Sequence, residues 1–390
     1  MISARAYPYL LLPLLFVGAG CDSSLGSANT APLKNNSTDA TAQKVSKPVA
    51  PFKLAVPPEL PGAVNGYILR SMETDLLIAT AKFAAEKGKY ELAAIAQYWY
   101  VRKTQKGQYA MACYLAITKQ IEPAFYWLQK AAIEEGVDAK HAERDEDLET
   151  LREDVRWNQV LSYIQECNNY FEKADSFKTI LLLPRGYTKS VAIPAVIWMH
   201  GLDSSPSDLL TEAFQKYADQ LNVALIGISG TKPRGPNTFA WAEDIDKDSD
   251  RIREALAVAS DQVTIEKGKI ITLGFSQGGQ VGLELAARYP EEFAGSIVLS
   301  PRAASHLQSI QVSPLLASRR FVISCGALEN RENLSLVKKD NEWLVNAKAE
   351  VLYKLYPRVS THALPADFLE RFPEWVIFIL NRKRSREFKA

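Results

Sequence analysis

The stretch KIITLGFSQGGQVGLELAAR, residues 269–288, constrains the fold of this chain more than any other. An apolar strand, KIITL, runs into Gly274-Phe275-Ser276-Gln277-Gly278, and a helical pattern follows from Gln280 to Arg288. A strand that turns this abruptly into a helix leaves no room for large side chains, so glycines flank the serine. Such a turn holds Ser276 exposed at the C-terminal edge of a sheet, with its backbone strained.

The second half of the chain supplies the rest of that sheet. Apolar runs at 177–183, 192–199, 223–228, 295–299, 321–325 and 351–356 read as strands. Helical spacing covers 209–221, 245–260, 340–348 and 368–381. Apolar strands alternating with helices predict an α/β fold whose sheet is mainly parallel and covered on both faces.

After the strand AIPAVIWM comes His200-Gly201-Leu202-Asp203. Backbone N–H groups stabilise a developing oxyanion without reorganising. The expected donors are those of Gln277 and Leu202. HGLDSS together with GFSQGG resembles the carboxylesterase and acyl-protein thioesterase branch of the α/β-hydrolases, over roughly residues 180–385. The resemblance makes Ser276 the nucleophile and His200 a residue that orients its loop. Chain order in that fold is serine, then acid, then histidine. His362, in Ser360-Thr361-His362-Ala363, is the histidine that fits. Family members usually carry glycine where Thr361 stands. They place aspartate three residues after the glycine that follows the strand 321–325, here Gly326, and that position is Glu329. Glutamate can also orient an imidazole and stabilise its charge, provided a shifted loop absorbs its extra methylene. Glu332 and Asp340 are the alternatives. Arg234, Phe239 and Trp241, in the loop TKPRGPNTFAW after the strand VALIGI, are expected to line the substrate cleft. The acidic ladder DIDKDSD, with Asp244, Asp246, Asp248 and Asp250, lacks the glycine and terminal glutamate of a calcium loop. It reads as the solvated start of a helix, where negative charge is favourable.

Residues 66–175 read as an all-α domain of helical hairpins preceding the hydrolase-like part, 176–388. Apolar stripes at helical spacing include Leu76, Leu77, Ala81, Phe83 and Ala84, then Ala93, Ala94 and Tyr98. Gly107–Ile133, through Ala112, Leu115, Ala124, Phe125, Leu128 and Ala131, resembles a tetratricopeptide-type hairpin. The tail 136–161, with Asp147, Leu148, Leu151, Asp154 and Trp157, resembles the ending of such arrays. That likeness implies a protein partner; a helical cap for the catalytic part is the equal alternative.

The N-terminus, MISARAYPYLLLPLLFVGAGC, has the layout of a secretory signal over residues 1–20. Its small-small-Cys ending resembles the bacterial lipobox, with Gly18 where a larger apolar residue is usual. The resemblance makes Cys21 a lipid-modified first residue and places the protein in a bacterial envelope, anchored to membrane. Residues 21–65, rich in Ser, Thr, Ala, Asn and Pro, fit a tether.

Charge is balanced, with 46 Lys and Arg against 45 Asp and Glu, which argues against a nucleic-acid partner. Cys21, Cys113, Cys167 and Cys325 form no CxxC, and the 4 histidines form no HExxH, so no metal site is expected. The expected protein is a serine hydrolase needing no cofactor. It would cleave small acyl esters or thioesters through Ser276, His362 and Glu329. A serine exopeptidase and an envelope binding protein with a vestigial hydrolase domain are its rivals.

Overall fold

The computed structural model describes residues 32–33, 46–64, 66, 68–173, 177–209, 211–242, 244–302, 306–360 and 362–382. The expected signal, Cys21, most of the tether and Thr361 lie outside the described residues. Among the described residues, no helix is long and apolar enough to cross a membrane. Two compact units are present, one formed mainly by 39–176 with 233–238, the other mainly by 177–232 and 239–390.

The first unit is helical. It contains α1 (Thr74–Glu86), α2 (Tyr90–Thr104), α3 (Gln108–Ile117), α4 (Ile121–Ala131), α5 (Ala139–Arg144), α6 (Glu149–Arg152) and α7 (Trp157–Lys173). α1 packs on α2, and α3 on both α2 and α4. Buried alanines such as Ala81, Ala93, Ala112 and Ala124 sit among Leu77, Leu115, Phe125 and Leu128. Small residues against large ones let the helix axes approach closely. The apolar face of α1 is rotated from the sequence expectation. Leu77, Ile78, Ala81 and Ala84 are buried, whereas Leu76 and Phe83 are 58% and 62% exposed. Both sets satisfy helical spacing, and only packing partners distinguish them.

The second unit is built on a sheet. Its strands are β1 (Pro32–Leu33), β2 (Thr179–Leu182), β3 (Ile193–Met199), β4 (Ala224–Ile228), β7 (Ile265–Phe275), β8 (Phe293–Leu299), β9 (Arg320–Gly326) and β10 (Glu350–Tyr356). Between β4 and β7 the chain makes a hairpin of β5 (Lys232–Gly235) and β6 (Thr238–Ala240), where the sequence suggested only a loop. The helices are α8 (Glu212–Leu221), α9 (Ile245–Ser260), α10 (Gln277–Arg288), α11 (Arg331–Asn346) and α12 (Phe368–Leu380). Strand order is β1-β2-β4-β3-β7-β8-β9-β10. Pairing is parallel from β4 through β10 and antiparallel between β2 and β4. β3 is buried along its whole length. Alternate side chains point to opposite faces of a strand. Ile193, Ala195, Ile197 and Met199 therefore join the core that includes α9, α10 and α11, while Val196 and Trp198 join the one that includes α8 and α12.

This order explains where chemistry belongs. From β3 the chain goes to β4 on one side, and β7 then fills the place on the other side of β3. Open α/β sheets place their ligand sites at such a reversal, outside the C-terminal ends of the strands whose loops diverge there. Met199 of β3 pairs with Gly274 of β7, so the HGLD loop and the GFSQG turn emerge side by side.

Candidate active site

Ser276 stands between β7 and α10 with φ 54° and ψ −120°. A non-glycine residue rarely adopts positive φ, and here the surroundings impose it. The Ser276 N–H donates to the Leu299 carbonyl at 3.1 Å, and its carbonyl accepts from the N–H groups of Gln280 and Arg302, each at 3.1 Å. A methyl group on Gly278 would collide with the carbonyl oxygens of Met199 and His200, and one on Gly274 with the Gly278 carbonyl. The glycines of the motif thus press the turn against the end of β3.

The ends of β9 and β10 carry the other two groups. Beyond them the chain segments are laced together, with Ala327 N–H donating to Tyr356 O at 3.0 Å and Leu328 N–H to Val359 O at 2.9 Å. His362 Nε2 lies 2.8 Å from Ser276 Oγ. Its Nδ1 lies 3.3 Å from Glu329 Oε2, and Glu329 Oε1 accepts from the Gly326 N–H at 3.3 Å. The Glu329 side chain is 3% exposed and that of His362 27%. The Phe275 ring flanks the imidazole, centroids 5.3 Å apart. Glu332, the alternative acid, is exposed in the first turn of α11, where its N–H donates to the capping Asn330 side chain. Asp340 is buried further along the same helix. Of the three carboxylates, Glu329 is the one brought to His362.

Gly201 packs against the serine, a Cβ built on it lying 3.6 Å from Ser276 Cβ. The Leu202 peptide follows directly on this contact, and the Gln277 peptide opens α10 directly after the serine. His200 is fully buried, its Nδ1 2.7 Å from the Gly201 carbonyl. Nε2 accepts from the Gly230 N–H at 2.9 Å, so the proton sits on Nδ1. Burial lowers its pKa from 6.5 to about 4, with the Gly201 carbonyl acting weakly the other way. Both ring nitrogens are engaged, so this imidazole is unsuited to proton transfer.

Two of the three residues expected to line a substrate cleft are buried instead. Phe239 and Trp241 are 0% and 1% exposed. Phe239 forms a backbone bridge with Ser204, and the Trp241 indole donates to the His200 carbonyl at 2.9 Å. The hairpin turns both rings inward, beneath the HGLD loop. Arg234 belongs to the helical unit, where its guanidinium bonds to Asp138. Burial opposes charge on Asp138, but Arg234 and the His141 N–H outweigh it and hold the carboxyl below its usual range. The acidic ladder also departs from expectation. Asp244 caps α9 and Asp246 pairs with exposed Arg288, but Asp248 is buried and accepts from Thr231 Oγ1 at 2.7 Å and the Ala242 N–H at 3.0 Å. Asp248 closes the hairpin loop back onto its following helix.

Sequence reasoning missed Ser300, at the end of β8. Its φ is 38°, its N–H donates to Ser324 O at 2.6 Å, and its hydroxyl donates to Ala363 O at 2.7 Å. A serine ending an apolar strand carries no signal that would single it out.

Residues 188–376 match the family described as Phospholipase/Carboxylesterase. Over these residues the chain resembles the carboxylesterase-like branch of the α/β-hydrolases. Solved structures with similarity include an uncharacterized protein from Bacillus cereus, 17% identical over 78% of this chain and 98% of that one, TM-score 0.42. A Bacillus cereus carboxylesterase is 19% identical over 54% of this chain and 99% of that one, TM-score 0.43. An esterase from Thermogutta terrifontis is 12% identical over 54% of this chain and 92% of that one, TM-score 0.43. No curated protein matches the sequence.

Proposed function

We propose that this protein is a serine hydrolase of small carboxylic esters or thioesters, working through Ser276, His362 and Glu329. The observation that carries the reading is the hydrogen-bonded line from Ser276 Oγ through both nitrogens of His362 to the Glu329 carboxylate. His362 Nε2 takes the serine proton as Oγ bonds to the substrate carbonyl carbon. The carbonyl electron pair moves to oxygen, where the Leu202 and Gln277 N–H groups meet it. The intermediate collapses, the carbon–oxygen or carbon–sulfur bond to the leaving group breaks, and His362 returns the proton to it. Water, deprotonated by the same nitrogen, then releases the acid from Ser276. Glu329 holds Nδ1–H and offsets the imidazolium charge at both stages.

A fluorophosphonate probe tests this reading. It should label Ser276, and Ser276→Ala should lose p-nitrophenyl butyrate hydrolysis by several orders of magnitude while remaining folded. An unlabelled serine, or undiminished turnover by the variant, removes the assignment.

Two further readings stand as proposals. Export and lipidation at Cys21 rest on the N-terminal pattern, and the intact mass of the protein from its native host decides them. A protein partner for the helical unit rests on its tetratricopeptide-like stripes. Pull-down with the full chain should recover a partner that a chain altered at exposed α1 positions Leu76 and Phe83 loses.

A further inference from the structure

The two N–H groups assigned to the oxyanion come from chain segments that part company. One follows β3, which leads away to β4; the other opens α10. Donors of this kind act only when held within a fraction of an ångström of the reacting oxygen. A single buried residue is bonded to both segments.

We propose that Trp241 is a positioning residue that sets the Leu202 and Gln277 N–H donors relative to one another; this rests on the hydrolase reading above. Its peptide group pairs with the Gln277 side chain in two directions. Trp241 N–H donates to Gln277 Oε1 at 3.0 Å, and Gln277 Nε2 donates to the Trp241 carbonyl at 3.2 Å. That pair fixes the first residue of α10. The indole N–H of Trp241 meanwhile donates to the His200 carbonyl at 2.9 Å, and the indole lies over the imidazole with centroids 5.5 Å apart. The imidazole in turn donates from Nδ1 to the Gly201 carbonyl.

The last bond has a directional result. The Gly201 carbonyl and the Leu202 N–H belong to one planar trans peptide and point in opposite directions. Holding the carbonyl toward His200 therefore aims the N–H away from it. The far end of the loop is fastened as well, since Phe239 N–H donates to the Ser204 carbonyl at 2.9 Å. Trp241, His200 and Gln277 are 1%, 0% and 4% exposed. Their side chains are enclosed, so their effect on a reaction passes through the peptides they hold.

Trp241→Phe deletes the indole N–H and keeps a buried aromatic ring. In the full-length protein, with folding checked by near-UV circular dichroism, kcat for p-nitrophenyl butyrate should fall about ten- to a hundredfold. KM should stay within about twofold, because the oxyanion exists only in the transition state. Inhibition by butylboronic acid, whose serine adduct carries a tetrahedral oxygen, should weaken by the same factor as kcat. A merely structural role would lower the amount of folded enzyme without this parallel. Gln277→Met severs the other side of the clamp and serves if the tryptophan variant does not fold. The double variant should be little worse than the poorer single one, since both break one network. Wild-type kcat and boronate affinity in both folded single variants would overturn the proposal, as would a loss confined to KM. If wild-type Ser276 is labelled and turns over ester while the variants are unimpaired, only the clamp falls. If wild-type Ser276 is neither labelled nor active, the hydrolase reading falls first and the clamp with it.

Discussion

The hydroxyl of Ser300 donates to the carbonyl of Ala363 at 2.7 Å, tying the end of β8 to the residue that follows His362. His362 sits on a segment between β10 and α12, and Ser300 is a fixed point to which that segment is moored. Ser300→Ala should lower kcat about five- to tenfold, the scale of one net hydrogen bond, with KM little changed. Ser300→Gly relieves the positive φ but also lacks the hydroxyl. Equal losses in the two variants assign the effect to the hydrogen bond. A recovery in the glycine variant alone shows that freeing the backbone there compensates for the lost hydroxyl.

The acid can be tested by a paired substitution. Glu329→Gln keeps the shape but favours the wrong imidazole tautomer, and turnover should fall by about 10⁴. Glu332→Gln, at an exposed helix position, should stay within twofold of wild type on the usual scale of surface changes. Steady-state kinetics of the two variants decide the matter, and exchanged phenotypes would transfer the role to Glu332.

Gly278→Ala addresses the packing of the turn. The added methyl meets the carbonyls of Met199 and His200, which are backbone atoms of a buried strand end and cannot swing aside. A loss of about 1–3 kcal/mol in stability is expected from such overpacking. Activity should drop further than stability, because the turn aims Ser276. Urea unfolding and probe labelling measure the two effects separately, and an alanine variant of wild-type stability would show that the turn can yield.

His200 makes stability depend on pH. Its native pKa, about 4, lies below its ordinary 6.5, so between these values the unfolded chain binds more protons than the folded one. Stability from the neutral buried ring is therefore complete above pH 6.5 and is lost as pH falls toward 4. The full difference is about 3 kcal/mol. Urea midpoints at pH 4.5 and 7.5 should diverge less in His200→Asn than in wild type. Identical divergence in both proteins would assign the acid sensitivity elsewhere.

Much of this site was legible because its chemistry is tied to chain order and to turns. Ser276 is marked by the glycines on either side, and His362 and Glu329 by their places after successive strands. Phe239 and Trp241 were misread because position after a strand predicts proximity to a site but not the direction of a side chain. That direction is set by a hairpin whose residues, KPRG and TFA, carry Pro and Gly that read as loop. The start of α11 at Arg331 was also hidden. Its cap, Asn330, stands one residue after Glu329, and the charged stretch that follows has little apolar periodicity until Val337 and Leu344 are packed. The antiparallel β2 is as apolar as its parallel neighbours, since burial on both faces erases the pattern that would distinguish them.

The pairing of β9 with β10 has a consequence for the order of assembly. Glu329 and His362 follow these two strands, and both lie C-terminal to Ser276, to which His362 is hydrogen-bonded. A chain emerging N-terminus first can form the GFSQG turn and still lack its base. Ser276 gains its partner only when β10 has been added beside β9. On the hydrolase reading proposed above, a growing or partly unfolded chain would carry an unactivated serine, and reactivity would arrive as one of the last events of maturation.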